Sequence, residues 1–133
     1  METKSSRQTE QKPGISISES DYAKLMKLAD SVAGSHALLA DDLFGELERA
    51  KIVADDAIAG NVVRMGSHVR FSDERKNIRI VTLVFPGEAD IADGRLSVLT
   101  PVGTALIGLS TEQSISWVGR DGQTHKLTVL AVA

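Results

Sequence analysis

Apolar residues are spaced in two different ways along this chain. Tyr22, Leu25, Ala29 and Val32 recur at intervals of three or four, with Leu28 beside the stripe, which is the period of one helix face. Ser18 stands three residues before Asp21 in the manner of a capping box, so a helix is predicted to start there, and Gly34-Ser35-His36 ends it. A second stripe follows at once, made of Leu39, Leu43, Leu47, Ala50 and Ala54, while Asp41, Asp42, Glu46, Glu48 and Arg49 face elsewhere. Gly45 weakens this second helix by ~1 kcal/mol relative to alanine. A connection of three or four residues makes the two helices antiparallel neighbours. At ~1.5 Å per residue each arm is ~20 to 25 Å long, marginal in isolation, so the hairpin is expected to pack on the rest of the molecule.

From Asn61 onward the apolar residues fall in short runs separated by turn residues, the pattern of a sheet. Val62, Val63, Val69 and Phe71 mark a first strand region, bent or bulged at Gly66, and residues 73–77 form a turn. The run 78–85 becomes apolar on both faces towards its end, as in a central strand, and Pro86-Gly87 stops it. A strand at 96–99 precedes one or two helical turns opened by Pro101. Ser114 to Val118 pairs with His125 to Val132 through the turn Gly119-Arg120-Asp121-Gly122. The expected fold class is α+β: a short antiparallel helical hairpin, then a twisted, mainly antiparallel sheet of four or five strands wrapped on one short helix. Residues 1–14 read as a solvated tail ending in Pro13-Gly14, 15–58 as the hairpin and 60–133 as the sheet domain.

Composition narrows the functions this fold can serve. With 133 residues, 42% of them hydrophobic and 25% charged, the chain holds one ordinary core and no run of ~18 apolar residues. Its first residues lack the apolar region of a secretory signal, so a cytoplasmic protein without membrane contact is expected. No cysteine is present, which excludes thiolate metal sites and a thiol nucleophile. Charge is uneven: residues 1–14, 15–59 and 60–133 carry net charges of +1, −5 and +1. The acidic middle segment would repel phosphates, and the sheet domain is only mildly basic, so direct DNA binding is not favoured. Five aromatics, Tyr22, Phe44, Phe71, Phe85 and Trp117, leave little for stacking nucleobases.

Catalytic readings fail on spacing. His36, His68 and His125 have no HxxxH partner or carboxylate at ligand spacing, and Ser67 and His68 point to opposite faces of a strand. The glycines never form GxGxxG or a phosphate loop and serve as turn punctuation, so no cofactor or metal is expected. Asp41, Asp42 and Glu46 read as a solvated helix face rather than an acid–base cluster. Arg70, Arg75, Lys76 and Arg79 crowd one hairpin; solvation is the ordinary reading of such a cluster, and docking of an acidic partner is the other.

One string is more specific than these patterns. Thr100-Pro101-Val102-Gly103-Thr104-Ala105-Leu106-Ile107-Gly108, preceded by Arg95-Leu96-Ser97-Val98-Leu99, resembles the S-P-x-x-x-A-L-I-G signature of the C-terminal domain of the bacterial transcript-cleavage factors GreA and GreB. Residues 63–71 resemble the opening strand of that domain, and 80–90 its central strand and following loop. Within the same superfamily the chain is still more similar to the Rnk family, regulators of nucleoside diphosphate kinase, whose R-T-L-V-Y-P and E-L-D-R-A stretches resemble residues 81–86 and 46–50. The resemblance implies an FKBP-like sheet domain, with no aromatic-lined proline pocket evident, and a helical hairpin of coiled-coil type. It further implies a non-enzymatic regulator that binds RNA polymerase at the rim of the secondary channel as a monomer, meeting DNA only through the polymerase. The partner-binding positions that carry over are Thr100 and Pro101, flanked by Leu99 and Val102, with Leu99 replacing a polar residue of the cleavage factors. Those factors present acidic residues at the tip of a much longer coiled coil. Here the tip is Gly34, Ser35 and His36 with Asp30 nearby, and a short arm is not expected to reach the catalytic ion. Cleavage stimulation through Asp30, and a peptidyl-prolyl isomerase-type binding module, stand as alternatives.

Overall fold

The computed structural model describes residues 12–133, so residues 1–11 of the expected tail lie outside the described residues. The chain runs through β1 (Ser16–Ser18), α1 (Glu19–Val32), α2 (Ala37–Arg49), β2 (Lys51–Val53), β3 (His68–Asp73), β4 (Ile78–Val84), β5 (Arg95–Ser97), α3 (Pro101–Leu106), β6 (Ser114–Val118) and β7 (Thr124–Val132). It is a mixed fold: a helical pair followed by a five-stranded sheet of order β5-β4-β3-β7-β6. Every neighbour in that sheet is antiparallel except β4 and β5.

The first helix begins where its cap predicts. Ser18 Oγ accepts the N–H of Asp21 at 3.3 Å, but the Asp21 carboxylate accepts from the Met65 N–H at 3.0 Å instead of closing the box. Asp55 supplies the second cap by accepting the Ser20 N–H at 3.0 Å. One helix end is thus stitched by two carboxylates to residues brought there only by the tertiary fold.

The second helix stops before its apolar stripe does. Ala50 leaves helical geometry at φ −77° and ψ 146°, and the next three residues form β2, which runs parallel to β1. Ala54 is therefore not on the helix. Ile52 and Val53 are β-branched and favour extended backbone, but a three-residue strand carries no alternation to betray it. The pairing clasps the hairpin at its base: the Lys51 N–H donates to Ile15 O at 2.9 Å, and the Ser16 N–H to Gly108 O at 3.2 Å. Gly108 sits at φ +83°, and a Cβ there would meet the Ile15 Cβ at 2.9 Å, so the close approach requires glycine.

Glu46 does not share the solvated face expected for it. It is 5% exposed; its Oε1 accepts from Arg49 Nε and its Oε2 from Lys12 Nζ, each at 3.0 Å. The position borders the buried stripe of Leu43 and Leu47, where a carboxylate is tolerated only when paired. Arg49 also donates to the Pro13 carbonyl, so residues 12 and 13 lie against α2. Asp41 and Asp42 stay exposed, and Asp42 Oδ2 meets Arg120 Nη2 at 2.9 Å. As expected, the hairpin packs along the sheet domain.

A single cluster of buried side chains joins both parts. Leu25, Ala29, Leu43 and Leu47 from the helices share it with Val69, Phe71, Val81, Leu83, Leu127 and Val129 from the sheet and with Ala105 and Leu106 of α3. Full burial of each leucine contributes roughly 1.5–3 kcal/mol. Val62 and Val63 do not belong to β3: Val62 makes an isolated bridge to Ser110, and the Val63 N–H donates to Leu109 O at 2.8 Å. The chain turns at residues 65–66 before the strand starts. A register shift opposite Arg70 and Phe71 leaves Leu130 and Ala131 both exposed and returns Val132 to the core side.

Two expected outcomes follow. Glu46→Ala leaves Arg49 without its carboxylate and should lower unfolding free energy by about 1–3 kcal/mol in a denaturant titration. Asp73 accepts the N–H groups of Arg75 and Asn77 at 2.8 and 2.9 Å, and the Asn77 backbone above all holds its carboxyl below the ordinary range. A lowered carboxyl stabilises the fold above its unfolded value of ~3.9 and loses that contribution as pH falls through the folded value. Asp73→Asn should therefore flatten the fall in melting temperature below pH ~4.

Candidate docking site at the first turn of α3

The turn before α3 is held from inside. Thr100 Oγ1 accepts the Gly103 N–H at 3.0 Å and donates to Ser97 O at 2.8 Å. Ser97 Oγ in turn accepts the Leu99 N–H at 3.0 Å, and Thr104 Oγ1 donates to Val98 O at 2.6 Å. A Cβ at Gly103 would stand 2.1 Å from Ser97 O, so only glycine lets the helix sit this close to the turn. Pro101 opens the helix at its first position and is exposed; Leu99 and Val102 are half-buried against the core. The Thr100 hydroxyl is thus spent on the turn, which presents Pro101 outward.

Beside this turn the inner sheet face extends one row past the core. Arg79 lies opposite Phe71, and Trp117 opposite His125. The six residues of α3 are too few to cover that row. A cavity of about 410 Å³ results, with Leu96, Pro101, Val102 and Trp117 as its apolar lining and Arg79, Arg120, Asp121 and His125 as its polar members. A second, of about 580 Å³, shares Pro101, Trp117 and Arg120 and continues along α2 past Leu38, Asp42 and Gly45. Trp117 is the one tryptophan, tyrosine or phenylalanine in either lining, so neither cavity is an aromatic-lined proline pocket. Trp117 and His125 stack with centroids 5.6 Å apart, and neither stood out in the sequence because each sits singly on its own strand.

Charge around the cavity is ordered. His125 Nε2 lies 3.2 Å from Asp121 Oδ2, and Nδ1 lies 3.7 Å from Glu74 Oε1. The Gln123 backbone N–H, with the His125 ring behind it, holds the Asp121 carboxyl below its ordinary range. The Lys126 backbone N–H does the same for Glu74. Gly119 leaves room for the ring: a Cβ there would meet it at 2.8 Å. The four hairpin cations do not form one patch, because Arg79 shares the inner face with Phe71 while Arg70 shares the outer face with Ile80.

The other predicted site residues lie apart. Asp30 occupies the last turn of α1, Gly34 and Ser35 form the connecting turn and His36 precedes α2; all four are exposed. Ser35 Oγ is 3.0 Å from His36 Nδ1. No group of three or more His, Asp or Glu side chains among the described residues is arranged to hold a metal ion. No helix among them is long and apolar enough to cross a membrane.

The whole turn, from Arg95 to Gly108, falls inside a family match. Residues 58–133 match the family described as "Transcription elongation factor, GreA/GreB, C-term", and residues 13–53 match "Rnk N-terminus". The chain belongs to the GreA/GreB family. It combines that family's C-terminal part with a Rnk-type N-terminus. A "Regulator of nucleoside diphosphate kinase" from Escherichia coli K12 is 34% identical over 120 residues, covering 90% of this chain and 88% of the relative. A "Transcription elongation factor GreA" from Thermodesulfovibrio yellowstonii is 34% identical over 93 residues, 69% of this chain but only 58% of that factor. Among solved structures, "Prokaryotic transcription elongation factor GreA/GreB from Nitrosomonas europaea" superposes with a TM-score of 0.70 at 35% identity, covering 92% of this chain and 99% of that one. The relatives are regulators and elongation factors, which places the chain in a Gre-like family of transcription factors.

The turn also makes a prediction independent of any partner. Thr100→Ser keeps the capping oxygen and should leave stability nearly unchanged, whereas Thr100→Ala should cost about 1 kcal/mol by thermal denaturation.

Proposed function

We propose that this chain is an RNA polymerase-binding regulator that docks at the secondary-channel entrance through the α3 turn and competes with longer-armed Gre factors without stimulating transcript cleavage. The reach of the hairpin carries this reading. Its arms have 14 and 13 residues, or ~21 and ~20 Å at the helical rise. The Asp42–Arg120 ion pair ties α2 to the β6–β7 turn at the sixth residue of that helix. Within residues 30–40 Asp30 is the sole carboxylate. The Thermodesulfovibrio yellowstonii factor has length that this chain does not span, consistent with a shorter arm on a shared docking part.

On this reading residues 60–133 act as an FKBP-like docking domain and 15–58 as a short coiled-coil arm. Leu99, Thr100, Pro101 and Val102 form the contact, with Pro101 its outermost member. The protein works as a monomer in the cytoplasm, needs no metal or cofactor of its own, and meets DNA only through the polymerase. The tip at Gly34, Ser35 and His36 occupies the channel mouth and leaves the catalytic centre untouched.

The test is a titration into halted, backtracked RNA polymerase complexes with and without a cleavage factor. Binding that blocks the factor and leaves the RNA intact is expected, and Pro101→Asp should weaken it at least tenfold, on the order of 1.4 kcal/mol. RNA shortening by the protein alone, lost in Asp30→Asn, would assign it instead to the cleavage-stimulating class.

A further inference from the structure

We infer that the 410 Å³ cavity lined by Trp117 and Arg79 is an anchor site for a protein segment that places an apolar side chain next to a carboxylate. The inference deepens the docking reading and rests on it only for the identity of the partner.

Two features of the cavity select this ligand. Leu96, Pro101, Val102 and Trp117 offer an apolar lining, which favours a buried aliphatic or aromatic side chain. The polar members are not equivalent. Arg120 is paired with Asp42, and Asp121 is engaged by the Gln123 N–H and His125. Arg79 has no carboxylate of the described residues within ion-pair distance. It is thus the cation at this cavity whose charge is left for a ligand, and a guanidinium binds a carboxylate with two parallel N–H donors.

The position of Arg79 gives the pairing its geometry. Its inward place on β4, opposite Phe71, is where the buried row of Val81 and Leu83 would continue if the core did not end. A side chain seated in the cavity therefore lies beside the guanidinium, and a carboxylate one or two residues along the same segment can meet it. The site is on a rigid frame: Thr100 is fixed by its own hydroxyl, and Trp117 is stacked on His125. A nucleic acid fits less well, because one indole already packed on an imidazole offers no stacking ladder and the chain has a net charge of −3.

Trp117 is the only tryptophan, so its fluorescence reports directly on the cavity. The probes are two acetylated, amidated tetrapeptides, Gly-Leu-Glu-Gly and its neutral counterpart Gly-Leu-Gln-Gly. A saturable change is expected with both, the Glu peptide binding about tenfold tighter, as one charge-assisted pair supplies. Arg79→Gln should reduce the Glu peptide to the level of the Gln peptide and leave the latter unchanged. Equal affinities in the native protein, no response to either peptide, or saturation by a short oligoadenylate instead would overturn the proposal. The polymerase titration separates it from the docking reading. If Pro101→Asp abolishes polymerase binding and the peptides do not bind through Arg79, docking stands and the anchor falls. If the peptides bind through Arg79 while polymerase does not bind at all, the anchor stands and docking falls.

Discussion

The parallel pairing of β1 with β2 is the constraint on which the molecule depends. Two three-residue strands at the base of the hairpin bring Ile15 and Ile17 into the core and hold the Ser16 backbone against Gly108. Without that clasp, two helices of 14 and 13 residues would be close to the length at which isolated helices are marginal. With it, the helices, the sheet and α3 share one cluster of buried side chains. The same glycine that permits the clasp closes the family signature string, so the motif serves the join between hairpin and sheet as well as the α3 turn.

The α3 turn shows how an exposed turn can be rigid without being buried. Ser97, Thr100 and Thr104 direct their hydroxyl groups to neighbouring backbone, and Gly103 lets the helix settle onto the turn. On the proposed docking reading, little conformational entropy would be lost when a partner meets Pro101, because the geometry is already set. The adjoining cavity exists for the complementary reason: a six-residue helix cannot cover the full sheet face. Shortness at α3 produces a concave surface, and close packing at its first turn keeps the edge of that surface fixed.

Much of this was legible in the sequence, and the exceptions share a cause. Helical spacing around Leu25 and Leu43, the Ser18 cap, the 73–77 turn, the β6–β7 hairpin and the Pro101 helix start all rest on local signals, and all occur in the structure. The errors arise where partners lie far apart in sequence. Lys51–Val53 became a strand because of Ser16–Ser18, and Glu46 became buried because Lys12 reaches it from 34 positions away. Asp21 spends its carboxylate on Met65, 44 positions on, and not on its own helix. The α3 turn was singled out through a resemblance to a motif, whereas the adjoining cavity was missed because Arg79, Trp117 and His125 come from three strands and have no common spacing.

The hairpin's construction has an evolutionary consequence. Its base is enclosed by the core and its middle is tied to the β6–β7 turn, but residues 33–36 contact neither. Residues inserted there in matched numbers on the two sides would lengthen the arm by ~5.4 Å for each added turn while every buried contact stayed as it is. Arm length and surface recognition are therefore separable traits in this architecture. Relatives of this architecture can differ in arm length by changing only the number of turns at the crest.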